Sequence, residues 1–402
     1  MAEVVPELVD LIFSFLHTLP LKYGSGEANF LVKSVASTLG KCALVCKAWV
    51  PSSRRILFYR VHVGQNNTDA FGELLGRPQL LTFLPFIREI ELADGDWTNT
   101  ELPKILARLP PSIHTLMLIL APRMIMQSAP CCPSLSLVTR LEIVDRWGLA
   151  LSDVVQCIAS FPTLVTLKLR SRGWSSTALP EPTLDPPKTW RGLHLRTPDP
   201  NAFLSWMQRA SVDISTLRIY VPPPTLYPAS FQSVVQYIER LGPLLKALDL
   251  ILDHWNPKNE YGSLSSDFLR PNTRLQSLSI EALPAQVRSL LLSFYPIPSL
   301  ESITVAVAEV DTEALHILPW LDTPPLRSSF PSWPELDRVL VPFISVRHLG
   351  ITYFGDYSPH DAALFRLRVG EISAHIREVL PLYAARGVVT QDVLAEKRFL
   401  YE

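Results

Sequence analysis

The sequence has almost no net charge and few cysteines. Its 37 lysines and arginines are balanced by 38 aspartates and glutamates, which gives the 402 residues a formal charge of -1. A chain that binds nucleic acid or an anionic membrane through its overall charge carries a basic surplus, and this chain has none. The five cysteines are an odd number scattered over a long chain, which favours reduced thiols.

An export signal and a membrane-spanning run are also missing from the sequence. The first ten residues, MAEVVPELVD, are acidic where a secretory signal would be basic. No run reaches the roughly 18 apolar residues of a spanning helix, and LMLILAPRMIM is interrupted by Pro122 and Arg123. We therefore expect a protein of the cytoplasm, the nucleus or both.

Motifs of enzymatic chemistry are absent as well. The sequence has no G-x-G-x-x-G or G-x-x-x-x-G-K-[ST] phosphate loop, no H-E-x-x-H metal helix and no G-x-S-x-G turn. Cys42 and Cys46 lie four residues apart in CALVC, but no second pair follows at zinc-finger spacing. We expect a non-catalytic protein without a metal or cofactor.

What the sequence does contain is an internal repeat of three apolar residues spaced as in LxxLxL. Successive copies start 24 to 31 residues apart, except for a last interval of 46 that leaves room for one degenerate copy, so about ten or eleven repeats are expected. The ten copies are IREIEL (87–92), IHTLML (113–118), VTRLEI (138–143), LVTLKL (164–169), WRGLHL (190–195), ISTLRI (214–219), LKALDL (245–250), LQSLSI (275–280), LESITV (300–305) and VRHLGI (346–351).

Each copy predicts a short strand with one apolar face, because its fourth and sixth residues point the same way. Helical periodicity follows in some connections, as in LSDVVQCIASF (151–161), where Ser152 is placed to cap, and PASFQSVVQYIERLG (228–242), which Gly242 ends. One such unit cannot bury its own apolar face. We therefore predict an α/β fold of stacked repeats, with parallel strands lining a concave face and helices outside.

This pattern resembles the leucine-rich repeat over about residues 80–355. The asparagine or cysteine that the family places three residues after the last strand leucine is absent from all ten copies. Without it the usual side-chain ladder should not form, and irregular turns are expected. The 36 prolines, about twice the average share, fit such turns. Beyond the repeats, helical spacing in residues 356–402 predicts a C-terminal helical cap.

The first sixty residues carry a second resemblance. VVPELVDLIFSFL, then CALVCKAW, then RRILFYRVHV resemble the F-box motif, in the form abundant in mushroom-forming (basidiomycete) fungi. The C-terminal IREVLPLYAARGVV is similar to the tails of those proteins. The resemblance implies a helical F-box domain over 1–62, followed by the repeats over 63–355.

F-box proteins with leucine-rich repeats are substrate receptors of Skp-cullin-F-box ubiquitin ligases, so the resemblance implies a Skp-family adaptor, a cullin bound through it, and a target protein as partners of a monomeric chain. It assigns adaptor contacts to Pro6, Leu8, Val9, Ile12, Phe13, Leu16, Leu44, Val45, Cys46 and Trp49. Two alternatives stay open. Cys42, Cys46 and Trp49 could simply pack inside the domain, and the insertion at 23–38 favours a scaffold whose drifted F-box binds no adaptor.

Two sets of residues on the repeats are candidates for target binding. A basic block on the concave face would suit an acidic or phosphorylated peptide or an anionic small molecule; the alternative is a charged face paired with its own neighbours. Tryptophans just after four strands form either a binding rim or plugs for the turns. The block comprises Lys168, Arg170, His194, Arg196, Arg218 and Tyr220, and the rim comprises Trp97, Trp147, Trp174 and Trp255.

Overall fold

The chain divides into two compact units, Met1–Trp190 and Arg191–Glu402, in a computed structural model. The structure describes residues 50–64, 67–77, 82–93, 105–119, 136–145, 148–178, 184–224, 226–252, 268–282, 290, 297–308, 343, 345–354 and 389–394. All ten residues assigned to the adaptor interface, and the insertion at 23–38, lie outside this part of the chain.

The first unit is built on five parallel strands that are neighbours in chain order, namely β1, β2, β3, β4 and β6. Two shorter strands, β5 and β7, form a separate parallel pair. The elements are α1 (Val50–Leu57), β1 (Arg60–Val63), α2 (Thr68–Leu75), β2 (Glu89–Leu92), β3 (Thr115–Ile119), β4 (Arg140–Asp145), β5 (Leu149–Ala150), α3 (Leu151–Ala159), β6 (Thr166–Ser171) and β7 (Trp174–Ser176).

In the described part of the second unit, seven strands are again parallel and paired in chain order. Its elements are β8 (Gly192–Arg196), α4 (Asn201–Arg209), β9 (Thr216–Val221), α5 (Pro228–Leu241), β10 (Ala247–Leu252), β11 (Ser277–Ala282), β12 (Ser302–Ala308), β13 (His348–Phe354) and β14 (Val389–Leu394).

All ten predicted strands are present, each starting two residues after the first apolar position of its LxxLxL copy. The register stacks equivalent apolar residues: Leu116 lies opposite Leu141 and Leu141 opposite Leu167, all with at most 1% of their surface exposed. Each such leucine stabilises the fold by about 1.5–3 kcal/mol through burial. The predicted α/β architecture of stacked strand repeats is confirmed in both units.

Hydroxyl side chains link successive repeats at a different position from the asparagine ladder of the family, which was not expected to form. Thr163 Oγ1 donates to the Val138 carbonyl at 3.2 Å, and Thr189 Oγ1 donates to the Leu164 carbonyl at 2.8 Å. Ser112 and Ser299 make the same bond to Ile87 and Leu275. Each hydroxyl stands just before the first apolar residue of its copy, so a backbone carbonyl of the preceding repeat is satisfied.

A second side-chain link joins the C-terminal ends of strands β4 and β6. Ser171 Oγ donates to Asp145 Oδ2 at 3.1 Å, and the same carboxylate oxygen accepts the Gly148 amide at 2.7 Å. Asp145 and Ser171 are both buried and are register partners in β4 and β6. They stand one residue before the position where the family places its asparagine, so a single side-chain link between two strands lies next to that position.

The two predicted helices that flank strands are also confirmed. In α3 the residues Val154, Ile158 and the following Phe161 are all buried, but the helix begins without the expected Ser152 cap: the Ser152 hydroxyl lies 3.5 Å from Asp153 Oδ1. Helix α5 ends at Gly242, where φ is +49°, and Asn272 Nδ2 donates to the Ile238 and Gly242 carbonyls at 3.0 Å each.

The sheet extends further than predicted at both ends of the repeats. Strand β1 begins at Arg60, inside the segment assigned to the helical domain 1–62, and pairs with β2. Residues 389–394, predicted to belong to a helical cap, instead form β14 and pair with β13. The exposed backbone groups of an edge strand favour such an addition.

Candidate functional site

One face of the sheet in each unit carries the polar residues that alternate with the buried leucines, and we call it the polar face. Apart from His62, the residues of its central row are the fifth residues of the LxxLxL copies, and the strand register aligns them. In the first unit the row is His62, Glu91, Met117, Glu142 and Lys168; in the second it is His194, Arg218, Asp249, Ser279, Thr304 and Gly350.

Glu91 is the most buried charged residue of this row in the first unit, with 4% of its surface exposed. Arg60 Nη2 donates to its Oε2 at 2.7 Å, and His62 Nδ1 lies 3.3 Å from its Oε1. Burial alone would raise the pKa of Glu91, but the hydrogen bonds from His62 and Arg60 outweigh burial and hold that pKa below its usual value. Glu91 is therefore a carboxylate at neutral pH.

Arg60 also reaches the next strand, since its Nη2 lies 3.7 Å from the Met117 sulfur. One guanidinium thus spans β1, β2 and β3. Neither Arg60 nor His62 was among the predicted site residues, because the sequence pattern that located the strands begins at residue 87.

A second ion cluster lies on β4 and β6. Lys168 Nζ is 2.6 Å from Glu142 Oε1, and Arg170 Nε is 3.9 Å from the same oxygen. Glu142 and Lys168 are register partners, so the contact follows directly from the strand alignment. One carboxylate here faces two cations, and the Arg170 side chain keeps 44% of its surface exposed.

On the polar face of the second unit, Arg218 contacts two carboxylates. Its Nε lies 3.0 Å from Asp249 Oδ2 on β10, and its Nη2 donates to Glu281 Oε2 on β11 at 3.3 Å. Glu281 has only 2% of its surface exposed, whereas Arg218 retains 41% of its side-chain surface. His194, Arg196 and Tyr220 lie half-buried on the same face.

The predicted basic block is thus divided between the units, and three of its members are in ion pairs. Lys168 and Arg170 belong to the first unit and contact Glu142, while Arg218 belongs to the second and contacts two carboxylates. These three cations therefore fit the alternative given above for the basic block, a charged face whose residues form ion pairs with their neighbours. Sequence reasoning could have found the pairs, because aligned middle positions of adjacent repeats carry opposite charges.

Of the four predicted rim tryptophans, only Trp174 lies among the described residues. It begins β7, is half-buried, and is the register partner of Leu149 in β5. Two other tryptophans, Trp190 and Trp206, are almost completely buried in the core. Trp190 occupies the first apolar position of its repeat.

Within the described ranges, no group of three or more His, Cys, Asp or Glu side chains could hold a metal ion. No helix in that part of the chain is both long and apolar enough to span a bilayer. Cys157 is completely buried in α3, and burial raises the pKa of its thiol to about 12, so it is not a reactive nucleophile.

No family model and no curated protein matches the chain. Two solved structures are similar to it in fold. The leucine-rich-repeat protein LegL7 from Legionella pneumophila has a TM-score of 0.43 at 14% identity, over 73% of this chain and 90% of that one. A structure of a TLR13–ssRNA13 complex has a TM-score of 0.31 at 16% identity, over 67% and 40%. By its own strand register and repeat spacing, the chain has a leucine-rich-repeat architecture.

Proposed function

We propose that this chain is the substrate receptor of a Skp-cullin-F-box type ubiquitin ligase, with the adaptor on the N-terminal helices and a target protein on the repeats. The observation that carries the proposal is the order of elements along the chain. The three pieces that resemble an F-box precede the repeats, and the last piece, RRILFYRVHV, runs through α1 into β1 of the repeat sheet.

The repeat sheet supports the target-binding half of the proposal. Its aligned polar face offers charged side chains held at fixed spacing by the backbone register, which suits recognition of another protein's surface. The ion pairs Glu91–Arg60 and Glu142–Lys168 hold these groups in place before a partner arrives. Such preorganisation reduces the entropy cost of binding.

The chain itself would perform no chemistry. Holding a target beside the ligase raises the effective concentration of the target's lysines near the charged conjugating enzyme, and this suffices to accelerate transfer. In this proposal the chain acts as a monomer within the complex, in the cytoplasm or nucleus, and needs neither nucleic acid nor membrane.

The proposal is tested by co-purification of the Skp-family adaptor and cullin from the source cells. Leu8 and Trp49 carry large apolar side chains in the segment that resembles an F-box, and a buried tryptophan is a typical interface anchor. We expect a Leu8→Asp, Trp49→Ala double variant to lose the adaptor, while an Arg209→Glu variant, at an exposed position on α4, keeps it. A wild type that folds but recovers no adaptor contradicts the proposal.

A second candidate is a leucine-rich-repeat scaffold that binds proteins without any ligase role. The insertion at 23–38, within the segment that resembles an F-box, favours it. The same co-purification distinguishes the two functions, because a scaffold would recover protein partners through the repeats but neither the adaptor nor the cullin.

A further inference from the structure

Three exposed arginines occupy the same position in three successive repeats of the second unit. Each lies seven residues before the first residue of its strand, which is Thr216 in β9, Ala247 in β10 and Ser277 in β11. Two residues before each arginine is a buried apolar side chain with at most 1% of its surface exposed. The arginines are Arg209, Arg240 and Arg270, and the buried residues are Met207, Ile238 and Phe268.

The chain segments that carry these arginines pack directly against one another. Asn272 Nδ2 donates to the Ile238 and Gly242 carbonyls at 3.0 Å each, so the third segment packs against the end of α5. The Tyr237 hydroxyl lies 3.8 Å from the Met207 sulfur, so α5 packs against α4. The three arginines are therefore carried side by side, in repeat order, outside the strands.

More positive charge lies between these arginines and the strands. Three equivalent segments, 207–216, 238–247 and 268–277, run from the buried apolar residue to the strand and contain five cations and two anions, a formal charge of +3. The five cations, which we call the basic patch, are all exposed, and no side-chain hydrogen bond or ion pair joins any of them to a described residue. They are Arg209, Arg240, Lys246, Arg270 and Arg274, and the two anions are Asp213 and Glu239.

The ends of helices explain only part of this charge. The helix dipole stabilises a cation in the last turn of a helix, and Arg209 and Arg240 are in the last turns of α4 and α5. Arg270 and Arg274 instead lie in turns, and Lys246 lies between the helical residues and β10. Because neighbouring like charges repel, a patch of five cations favours the approach of an anionic partner.

An apolar side chain lies within the basic patch. Leu244 keeps 45% of its surface exposed, and it holds the position in its segment that Arg274 holds in the next. Backbone hydrogen bonds of 2.8 Å, from Lys246 N to the Ser215 carbonyl and from Gln276 N to the Lys246 carbonyl, join the three segments beside it. A partner of the basic patch would therefore also meet an apolar surface.

We propose that the basic patch binds an acidic segment of a partner protein, which places one apolar side chain on Leu244. Carboxylates of the segment pair with the arginines, each of which can donate two parallel hydrogen bonds. Adjacent strands are about 4.8 Å apart and an extended chain rises about 3.3 Å per residue, so crossing three repeats takes at least about three residues of the segment. The basic patch lies outside the polar face, so this inference goes beyond the proposed function.

A nucleic acid fits the basic patch less well than an acidic peptide. Proteins that bind single strands stack the bases on exposed aromatic side chains, and the one aromatic residue of the three segments, Phe268, is 1% exposed. An exposed leucine gains nothing from a phosphate, whereas apolar anchors are a regular part of peptide recognition. The side chains of the patch therefore favour a protein partner.

The test uses full-length protein and fluorescein-labelled peptides, with binding followed by fluorescence anisotropy. The probe has the sequence GSEELEEDGS; one matched peptide replaces its five acidic residues by lysine, and another replaces its leucine by serine. We expect saturable binding of the probe with a Kd of about 10–100 μM. The lysine peptide should bind at least roughly tenfold more weakly, and the serine peptide about threefold more weakly.

Charge-reversal variants locate the site. Arg270→Glu should weaken binding of the probe by about threefold or more, and Arg240→Glu combined with Arg270→Glu by at least roughly tenfold. Arg270 is outside the helices, so the single variant stays informative if the double variant does not fold. The controls make equal charge changes at exposed residues of the first unit, as Arg77→Glu alone and Arg77→Glu with Arg108→Glu.

A further variant tests the apolar contact. Leu244→Ser changes an exposed residue, so the protein should remain folded. We expect it to weaken binding of the probe by about threefold and to leave binding of the serine peptide unchanged, because the contact is already absent there.

The inference is overturned if the probe shows no saturable binding at millimolar concentration or if Arg270→Glu binds it as well as Arg77→Glu does. It is also overturned if the lysine peptide, or a labelled oligothymidylate of ten nucleotides, binds as tightly as the probe. Each outcome is independent of the adaptor. Loss of peptide binding with adaptor co-purification intact refutes this site alone, whereas peptide binding without the adaptor refutes the proposed ligase role alone.

Discussion

At the scale of single residues, Glu91 shows how a charge is kept on a mostly buried strand. Its two carboxylate oxygens are shared between Arg60 and His62. Because its pKa is lowered on folding, the unfolded chain binds the proton more tightly than the native state. The carboxylate therefore stabilises the fold above its ordinary pKa of 4.5, and this contribution is lost as the pH falls through the lowered value.

We predict that Glu91→Gln lowers the free energy of unfolding at pH 7 by about 1–2 kcal/mol, since it weakens charge-assisted hydrogen bonds to partly exposed partners. Urea denaturation measures the difference, with Glu73→Gln on the exposed side of α2 as control. The difference between wild type and Glu91→Gln should shrink below about pH 4.5. An equal difference at pH 7 and pH 3.5 would rule out this role for the carboxylate.

Cys157, unlike Glu91, is a buried titratable group that we expect to be unreactive in the folded protein. Its thiol is completely buried and its pKa is raised to about 12. We predict that iodoacetamide at pH 8 leaves Cys157 unmodified in the native protein and modifies it within minutes in 8 M urea, as read by peptide mass spectrometry. Rapid modification of the folded protein would show that α3 opens readily or that the thiol is accessible.

The charges of the candidate site could be read from the sequence only in part. The alignment of the repeat copies sets Glu142 beside Lys168 and Arg218 beside Asp249, as the strand register does, so these two pairs could have been predicted. It could not give the reach of Arg218 to Glu281, two strands away, because that contact depends on side-chain conformation. It also missed Arg60, whose strand has no LxxLxL signal.

At the scale of elements, backbone conformation at Gly242 ends helix α5. Its φ of +49° and ψ of −131° lie where side chains are strongly disfavoured, while an added Cβ would make only an ordinary 3.7 Å contact with the Pro271 carbonyl. We predict that Gly242→Ala lowers the free energy of unfolding by about 1–3 kcal/mol through backbone strain alone.

The matched control for this prediction is Gly72→Ala. Gly72 is inside α2, and its added Cβ would lie 3.9 Å from Ile105 Cγ1, an ordinary contact. Since glycine is unfavourable within a helix, this change should raise stability by about 0.5–1 kcal/mol. The same sign for both substitutions in urea denaturation would contradict the conformational explanation.

A separate prediction concerns the hydrogen bonds from hydroxyl side chains that link successive repeats. Thr163→Val keeps the side-chain volume but removes the bonds to the Val138 and Ser136 carbonyls, so we expect a loss of about 1 kcal/mol and faster hydrogen exchange in β4 and β6. Thr166→Val, on the polar face of β6, is the control and should leave both unchanged. No difference between the two variants would show that the links contribute nothing.

Elements were predictable where the repeat spacing and the helical period were both clear, as in β4, α3 and β6. Strand β14 was missed because residues 356–402 favour helix by local spacing, whereas pairing with the edge of β13 decides the outcome for 389–394. The short pair β5–β7 was also missed. Its three-residue strand carries no periodic signal, and it forms through contact with its partner.

At the scale of the whole molecule, one repeated motif explains most of the architecture. Ten copies of LxxLxL predict ten parallel strands, and neighbours in sequence become neighbours in the sheet of each unit because a repeat can bury its apolar side only against the next. The proposed function depends on the first 49 residues, for which the sequence supplies a resemblance; the described structure begins at Val50.

The most direct test of the proposed function is a calorimetric titration of purified Skp-family adaptor into the full-length chain. We predict one-to-one binding with a Kd at or below about 1 μM and a negative heat-capacity change from apolar burial. Binding should be abolished by Leu8→Asp with Trp49→Ala and unchanged by Arg140→Glu. A folded wild-type chain that gives no binding heat at two temperatures, and no complex by size exclusion, would contradict it and leave a repeat scaffold outside the ligase.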